Sequence, residues 1–309
     1  MIKKIILILI LSMIFIIRLS YSIENIVAVK INNEIITSLD IEEEVNYLSS
    51  LNSSLKDLER SELLLISKNS LIKEKIREIE LLKYKQNLEI TDDIFEKVII
   101  ANYTKLGINT KEKFLEFILS KNIDYGKIKK KLTIEIFWNE LILSKFGSKV
   151  KIDEKKLKKQ IENSKKRKNK SFLIQEIVFN IQDKSQLEFK FKEIEESIKN
   201  RGFKNTALIY SVSETSKSGG EIGWINENSL NDLIKKNLLD LKMGEYTKPI
   251  LTPGGFVVLK LDDVRESELE IDLNNELEKL IKQNTNQQLN QFSNLYFNKI
   301  KNDQKITFP

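Results

Sequence analysis

The 309-residue chain contains no cysteine and no histidine, and only 10 glycines. Without cysteine there are no disulfides, no thiol nucleophile and no lipid-modified cysteine to act as an anchor. Without histidine there is no imidazole base, and the combined loss removes the usual nitrogen and sulfur ligands of a zinc site. A glycine-rich phosphate-binding loop is missing as well. Acidic pairs such as Asp92-Asp93 and Asp262-Asp263 read as helix-start and turn residues, so neither a metal nor a cofactor is expected. Excess charge is also small. Fifty-one basic residues against 45 acidic ones give a net charge of +6, with Lys and Glu intermingled rather than gathered on one basic face.

Charged residues make up 31% of the chain and hydrophobic ones 41%, a globular balance with a wet surface. The length suffices for two domains with a sizeable core. At the start, Lys3-Lys4, the apolar run Ile5 to Ile17 and the small-residue site Ser20-Tyr21-Ser22 have the layout of a secretory signal cleaved after Ser22. The alternative is an uncleaved membrane anchor, although the run falls short of the roughly 20 apolar residues that span a bilayer. Cleavage leaves a mature protein with no stable membrane insertion.

Val27 to Ile31 and Glu34 to Thr37 flank Asn32-Asn33, which predicts a hairpin with a turn that tolerates the left-handed region. Thr37 or Ser38 caps the helix that follows, with Asp40 and Glu42 in its first turn. Helical spacing then recurs in Ile72, Ile76, Ile79 and Leu82; in Ile94, Val98 and Ala101; in Phe114, Phe117 and Ile118; and in Ile134, Phe137, Trp138 and Leu141. Gly107 and Gly147 stand where C-terminal helix caps would. A basic stretch follows from Lys151 to Lys170, including Lys165-Lys166-Arg167-Lys168-Asn169-Lys170, and reads as a solvated helix and linker. An exported protein meets little nucleic acid, so a nucleic-acid partner is not expected.

From Phe172 the pattern changes. Phe172 to Phe179 predicts a strand, Leu187 to Lys199 a helix, Leu230 to Leu239 a short helix and Gly255 to Leu261 a strand, an order that suits a small α+β unit. Between them lies Ser218-Gly219-Gly220-Glu221-Ile222-Gly223-Trp224, with three of the scarce glycines inside five positions. Such a cluster marks backbone that side chains would obstruct. Glu268 to Ile300 predicts one long helix with Leu273, Leu277, Leu280, Ile281, Leu289, Phe292, Leu295 and Tyr296 on its apolar side, and Lys305 to Phe308 a last strand. One helix cannot bury its own stripe, so it is expected to return to the N-terminal helices.

The glycine segment, with Phe203, Ala207, Tyr210 and Ser211 before it and Gly244-Glu245, Pro249 and Gly255-Phe256 after it, resembles a parvulin-type (PpiC-type) peptidyl-prolyl isomerase domain. The chain as a whole resembles the SurA family of periplasmic chaperones, with one such domain where many members carry two. That resemblance rests also on Ile26 to Glu44, Asn87 to Asp93, Leu106 to Asn109, Ile134 to Phe137 and Ile152 to Glu154. It implies an α+β, multi-domain chain: signal 1–22, helical chaperone domain 23–150, basic helix and linker 151–170, parvulin-like domain 171–264, and residues 265–309 packing back on the N-terminal domain. Active parvulins resemble one another in two buried histidines and an Asp or Cys. Matched position by position, these fall at Glu176, Ser213 and Val257, none of the expected type. Leu230, Ile234 and Phe256 match residues that line the prolyl pocket.

The resemblance therefore implies a periplasmic, ATP-independent holder of unfolded outer-membrane protein precursors, passing them towards outer-membrane assembly machinery, with a domain that binds rather than isomerises. An active isomerase, soluble or membrane-tethered, is the alternative. A client cradle is expected between the helical domain and the C-terminal helix, with Phe114, Phe117, Phe137 and Trp138 as its candidates.

Overall fold

The computed structural model describes residues 25–164, 169–181, 183–267 and 273–309. The expected signal segment, most of the basic run at Lys165 and the first residues of the expected C-terminal helix lie outside them. Strands β1 (Val27–Ile31) and β2 (Glu34–Thr37) form the hairpin, with Asn32 at φ 54° in its turn. Thr37 then caps α1 (Ser38–Leu51): the Asp40 amide donates to Thr37 Oγ1 at 3.2 Å, and the Thr37 amide donates to Asp40 Oδ2 at 2.9 Å. Two donors freed at the helix start are satisfied by this exchange.

Helices α2 (Arg60–Leu82), α3 (Asp92–Tyr103), α4 (Lys111–Ser120) and α5 (Tyr125–Phe146) follow. The face expected for α3 is wrong by one position. Phe95, Ile99 and Tyr103 are buried, whereas Ile94 and Ala101 are exposed. Packing decides this, because Phe95 meets Phe114 and Tyr125 edge-on at 6.1 and 5.6 Å between ring centres. Gly107 is left-handed at φ 76° and ends its turn as expected, but Gly147 at φ −56° is right-handed and continues into a short 3₁₀ turn.

The stretch expected as a solvated helix and linker contains α6 (Glu154–Ser164), which is not solvated all round, since its Leu157 and Ile161 are buried. Their partners are Leu277 and Leu280 of the long helix α9 (Leu273–Asn302). Farther along, Phe297 and Ile300 of α9 join Ile72 and Ile76 of α2 and Ile134, Phe137, Trp138 and Ile142 of α5 in one buried core. The Trp138 indole N–H donates to Ser293 Oγ at 2.9 Å, and Phe292 stacks on Phe146 with ring centres 5.2 Å apart. Leu295, expected on the apolar side, faces solvent. The last strand, β7 (Ile306–Thr307), pairs with β1, so the small sheet has the order β2-β1-β7.

Between α6 and α9 the chain forms a second sheet of order β4-β3-β6-β5, antiparallel throughout: β3 (Asn169–Phe179), β4 (Glu221–Asn226), β5 (Ile250–Thr252) and β6 (Gly255–Ser267). Helix α7 (Leu187–Tyr210), broken at Gly202 with φ 81°, covers one face through Ile194, Phe203 and Ala207. Helix α8 (Asp232–Leu239) covers the other through Ile234 and Leu238. The two bodies meet where Leu208 of α7 packs on Leu55, Leu58 and Ile66, and where Arg201 pairs with Glu62.

Because α9 and β7 complete the core around Trp138, deleting residues 268–309 is expected to unfold the helical body. Calorimetry that kept its melting transition would refute this. Phe297→Ala in the full chain is expected to cost about 3 kcal/mol by urea denaturation.

Candidate functional site

Alternation along β3 puts Ile174, Glu176 and Val178 on the α8 face of the sheet, with Ile177 and Phe179 on the α7 face. On β6, Leu259 lies opposite Glu176 and Val257 opposite Val178. Leu230, Ile234 and Leu238 pack over these strands, and Ile250 of β5, paired with Val257, extends the buried apolar face. Glu176 stands at the polar end of that face. Its Oε1 accepts from Ser213 Oγ at 2.6 Å and from Thr215 Oγ1 at 2.8 Å, and the two hydroxyls are 3.0 Å apart.

The glycine segment makes this arrangement possible. The Glu176 amide donates to the Gly220 carbonyl at 2.8 Å, and the Gly220 amide donates to the Thr215 carbonyl at 2.9 Å. Gly220 sits at φ 82°, and a Cβ there would fall 2.2 Å from the Glu176 carbonyl oxygen. Only glycine lets the two backbones approach so closely. On the other side, the Val212 amide donates to the Val178 carbonyl at 2.7 Å, so the chain leading to Ser213 is tied to the same strand.

Burial pushes the Glu176 carboxyl up from the usual 4.5, and the two hydroxyls that favour its charged form only partly offset this. Val257, 4% exposed, packs among aliphatic side chains and brings no polar atom. The three positions matched to the catalytic set thus hold one carboxyl, one hydroxyl and one methyl-lined wall. Thr215, the third polar member, was missed by sequence reasoning. Its signal was a capping serine: Ser213 caps the 3₁₀ turn that holds Thr215, its Oγ accepting from the Thr215 amide at 3.3 Å.

Leu230 and Ile234 are buried in the cluster on the α8 face, and Phe256 is not part of it. Its neighbour Val257 points to the α8 face, so Phe256 points to the α7 face, where it stacks on Phe179 with ring centres 5.9 Å apart. The four aromatics offered as client contacts are core residues. Phe114, Phe137 and Trp138 are buried, and Phe117 packs half-buried on the cluster around Phe114. The expected cradle between helical body and C-terminal helix is filled by Trp138, Phe297 and their neighbours. An open cleft of about 550 Å³ lies instead beside β2, α1 and α5, with Ile36, Tyr47, Leu71 and Ile128 in its lining. Within it Lys131 pairs with Glu44 and Glu74 and Lys127 with Asp40 and Glu43, while its Lys75 and Lys130 pair outward with Glu78.

Residues 172–263 match the family described as Rotamase, the PPIC-type PPIASE domain. This segment is a PpiC-type parvulin domain. Over 63 residues the chain is 40% identical to chaperone SurA of Pseudomonas putida, a stretch equal to 20% of this chain and 15% of that protein. With chaperone SurA of Pseudomonas syringae pv. tomato it is 21% identical over 204 residues, 62% of this chain and 47% of the relative. The chain thus matches less than half the length of these curated relatives. Among solved structures, a SurA-like chaperone of Campylobacter jejuni aligns with 92% of this chain and 99% of its own, at 18% identity and a TM-score of 0.37. Over part of its length the chain is similar to proteins named chaperone SurA, and its α+β architecture joins a helical body to a parvulin domain.

Gly220→Ala is expected to destabilise the parvulin domain by roughly 2–4 kcal/mol, combining overpacking with a left-handed backbone; a urea midpoint at the wild-type value would refute the close approach. Glu176 should also leave a mark on the pH dependence. A carboxyl whose folded value is raised gives stability that is full below the unfolded value of about 4.5 and is lost as pH rises through the folded one. Glu176→Gln should therefore gain on the wild type between pH 4.5 and neutrality. A stability difference that stays flat over that range would count against a raised carboxyl.

Proposed function

We propose that the chain is an exported, ATP-independent chaperone that holds unfolded outer-membrane protein precursors in the periplasm, and that its parvulin domain binds peptide without efficient isomerisation. The observation that carries the second half is the site itself. Val178, Leu230, Ile234, Val257 and Leu259 form a closely packed apolar cluster into which a client would have to insert, while Glu176, Ser213 and Thr215 supply a carboxyl and two hydroxyls in place of an imidazole network. Rotation about an X-Pro bond faces a barrier of roughly 18–20 kcal/mol. Lowering it requires polar groups aimed at the twisted amide, and Val257 can neither donate nor accept. Binding an apolar segment needs only the cluster.

The first half is supported by relatedness to proteins named chaperone SurA, by the signal-like segment 1–22, and by a chain that is 31% charged and would keep a loaded complex dispersed. No helix among the described residues is long and apolar enough to cross a membrane. On this reading 23–150 and 265–309 form the holding body, 151–170 joins it to the parvulin domain at 171–264, and transfer to outer-membrane assembly follows release.

One observation favours a second reading. Glu176 holds a proton more readily than an ordinary glutamate, beside an apolar wall, and could donate to a prolyl amide. A protease-coupled assay on a prolyl peptide decides between them. The holder gives isomerisation at the uncatalysed rate together with suppressed aggregation of an unfolded porin. A fast rate abolished by Glu176→Gln would establish the isomerase instead.

A further inference from the structure

Helix α6 buries one face and carries its charge on the rest. Ile152 just before it, with Leu157 and Ile161, packs on Leu277, Leu280 and Ile281 of α9. Asp153 caps its start, where the Lys156 amide donates to Asp153 Oδ1 at 2.9 Å. The approach to the helix is clamped as well. The Lys151 amide donates to Gln288 Oε1 at 3.0 Å, and Gln288 Nε2 donates to the Lys151 carbonyl at 2.9 Å. All four lysines of the helix, Lys155, Lys156, Lys158 and Lys159, are exposed, on a support that α9 holds in place.

Elsewhere in the helical body lysines are neutralised: Lys127 and Lys131 of α5 are each shared by two carboxylates. Among the described residues none of the four α6 lysines forms an ion pair, and Glu154 and Glu162, the acids of the helix, stand near its two ends. Lys155 faces Lys159 four residues on, and Lys156 faces Lys159 three residues on. Like charges at these spacings weaken a helix, so the sequence carries a local conflict that an anionic partner relieves. Lysine is a flexible point charge without the fork that matches one fixed carboxylate, which suits a dense array of mobile head groups. An acidic peptide fits less well. It loses chain entropy on binding, and the buried residues of α6 leave it no apolar anchor.

We propose that α6 is a docking surface for an anionic bilayer, which the chain touches peripherally through Lys155, Lys156, Lys158 and Lys159. Each lysine near such a surface raises partition by about five-fold. The attraction fades within a Debye length, about 10 Å at 0.1 M salt. Leu157 and Ile161 stay on α9, so the helix rests on head groups and does not insert. Contact of this kind is weak and reversible, and it keeps the chain beside a membrane without anchoring it. It is independent of what the parvulin domain binds.

Vesicle flotation of the exported chain, with its N-terminus sequenced, tests this. Phosphatidylcholine vesicles with about 30% phosphatidylglycerol should carry the chain at about 0.05 M salt and release it at about 0.5 M, and pure phosphatidylcholine vesicles should not carry it. Lys155→Gln with Lys159→Gln is expected to lower the partition about twenty-five-fold. Lys113→Gln with Lys236→Gln makes the same charge change on exposed positions of α4 and α8 and should leave it within about two-fold. If residues 1–22 are retained, the two pairs are still compared on the same chain. An equal loss in both pairs, or equal binding to neutral vesicles, would overturn the proposal. Amide exchange over 277–281 of α9 should not change on binding; faster exchange there means that α6 leaves α9 to insert, and peripheral docking fails. A glutamate-rich peptide that binds through the same lysines while anionic vesicles do not would assign α6 to acidic chains instead.

Discussion

Burial of one face of α9 against α2 and α5 is the contact on which the rest of the molecule hangs. A lone amphipathic helix has little reason to form in water, since propensity alone barely offsets nucleation. Here its apolar residues meet Trp138, which is at once hydrogen-bonded to Ser293, stacked on Tyr296 and covered by the Arg77 guanidinium. That cluster fixes Arg77, and Arg77 in turn anchors Glu214 of the other body. A chain of contacts thus runs from the hydrophobic centre of the helical body to the hydroxyls beneath the parvulin pocket.

Within the parvulin domain the strict alternation of β3 and β6 decides what can act together. Glu176, Val178, Val257 and Leu259 share a face because their positions have the right parity, and Phe256 is excluded by the same rule. That face carries a buried apolar cluster and the close glycine approach, while Glu176, Ser213 and Thr215 bring acid and hydroxyl groups. It holds few oriented dipoles with which to stabilise a rotating amide.

Local chemistry was the part legible in the sequence. The hairpin, its asparagine turn and the Thr37 cap depend on neighbours within a few positions, and their residues announce them. The glycine segment was equally readable, since close backbone approach leaves only one residue type possible at Gly220. The face of α3 was not, because Phe95 is chosen by Phe114 and Tyr125 rather than by its own helix. The aromatics proposed for clients went to the core for the same reason: a large ring is drawn to whichever buried partner lies nearest, and periodicity cannot say whether that partner belongs to the chain or to a ligand. Thr215 and Glu214 acquire meaning only across tertiary contacts, with Glu176 on one side and Lys73 on the other.

The pairing of β7 with β1 brings Lys305 within hydrogen-bonding distance of Asn32, its amide donating to Asn32 Oδ1 at 3.0 Å. During synthesis, the first strand of the helical body therefore waits for residues 306–307 before its sheet is complete. The parvulin strands all fall between residues 169 and 267 and can close earlier. In the interval α2 and α5 expose the surface that α9 will cover, so the chain passes through a stage in which it is vulnerable to aggregation.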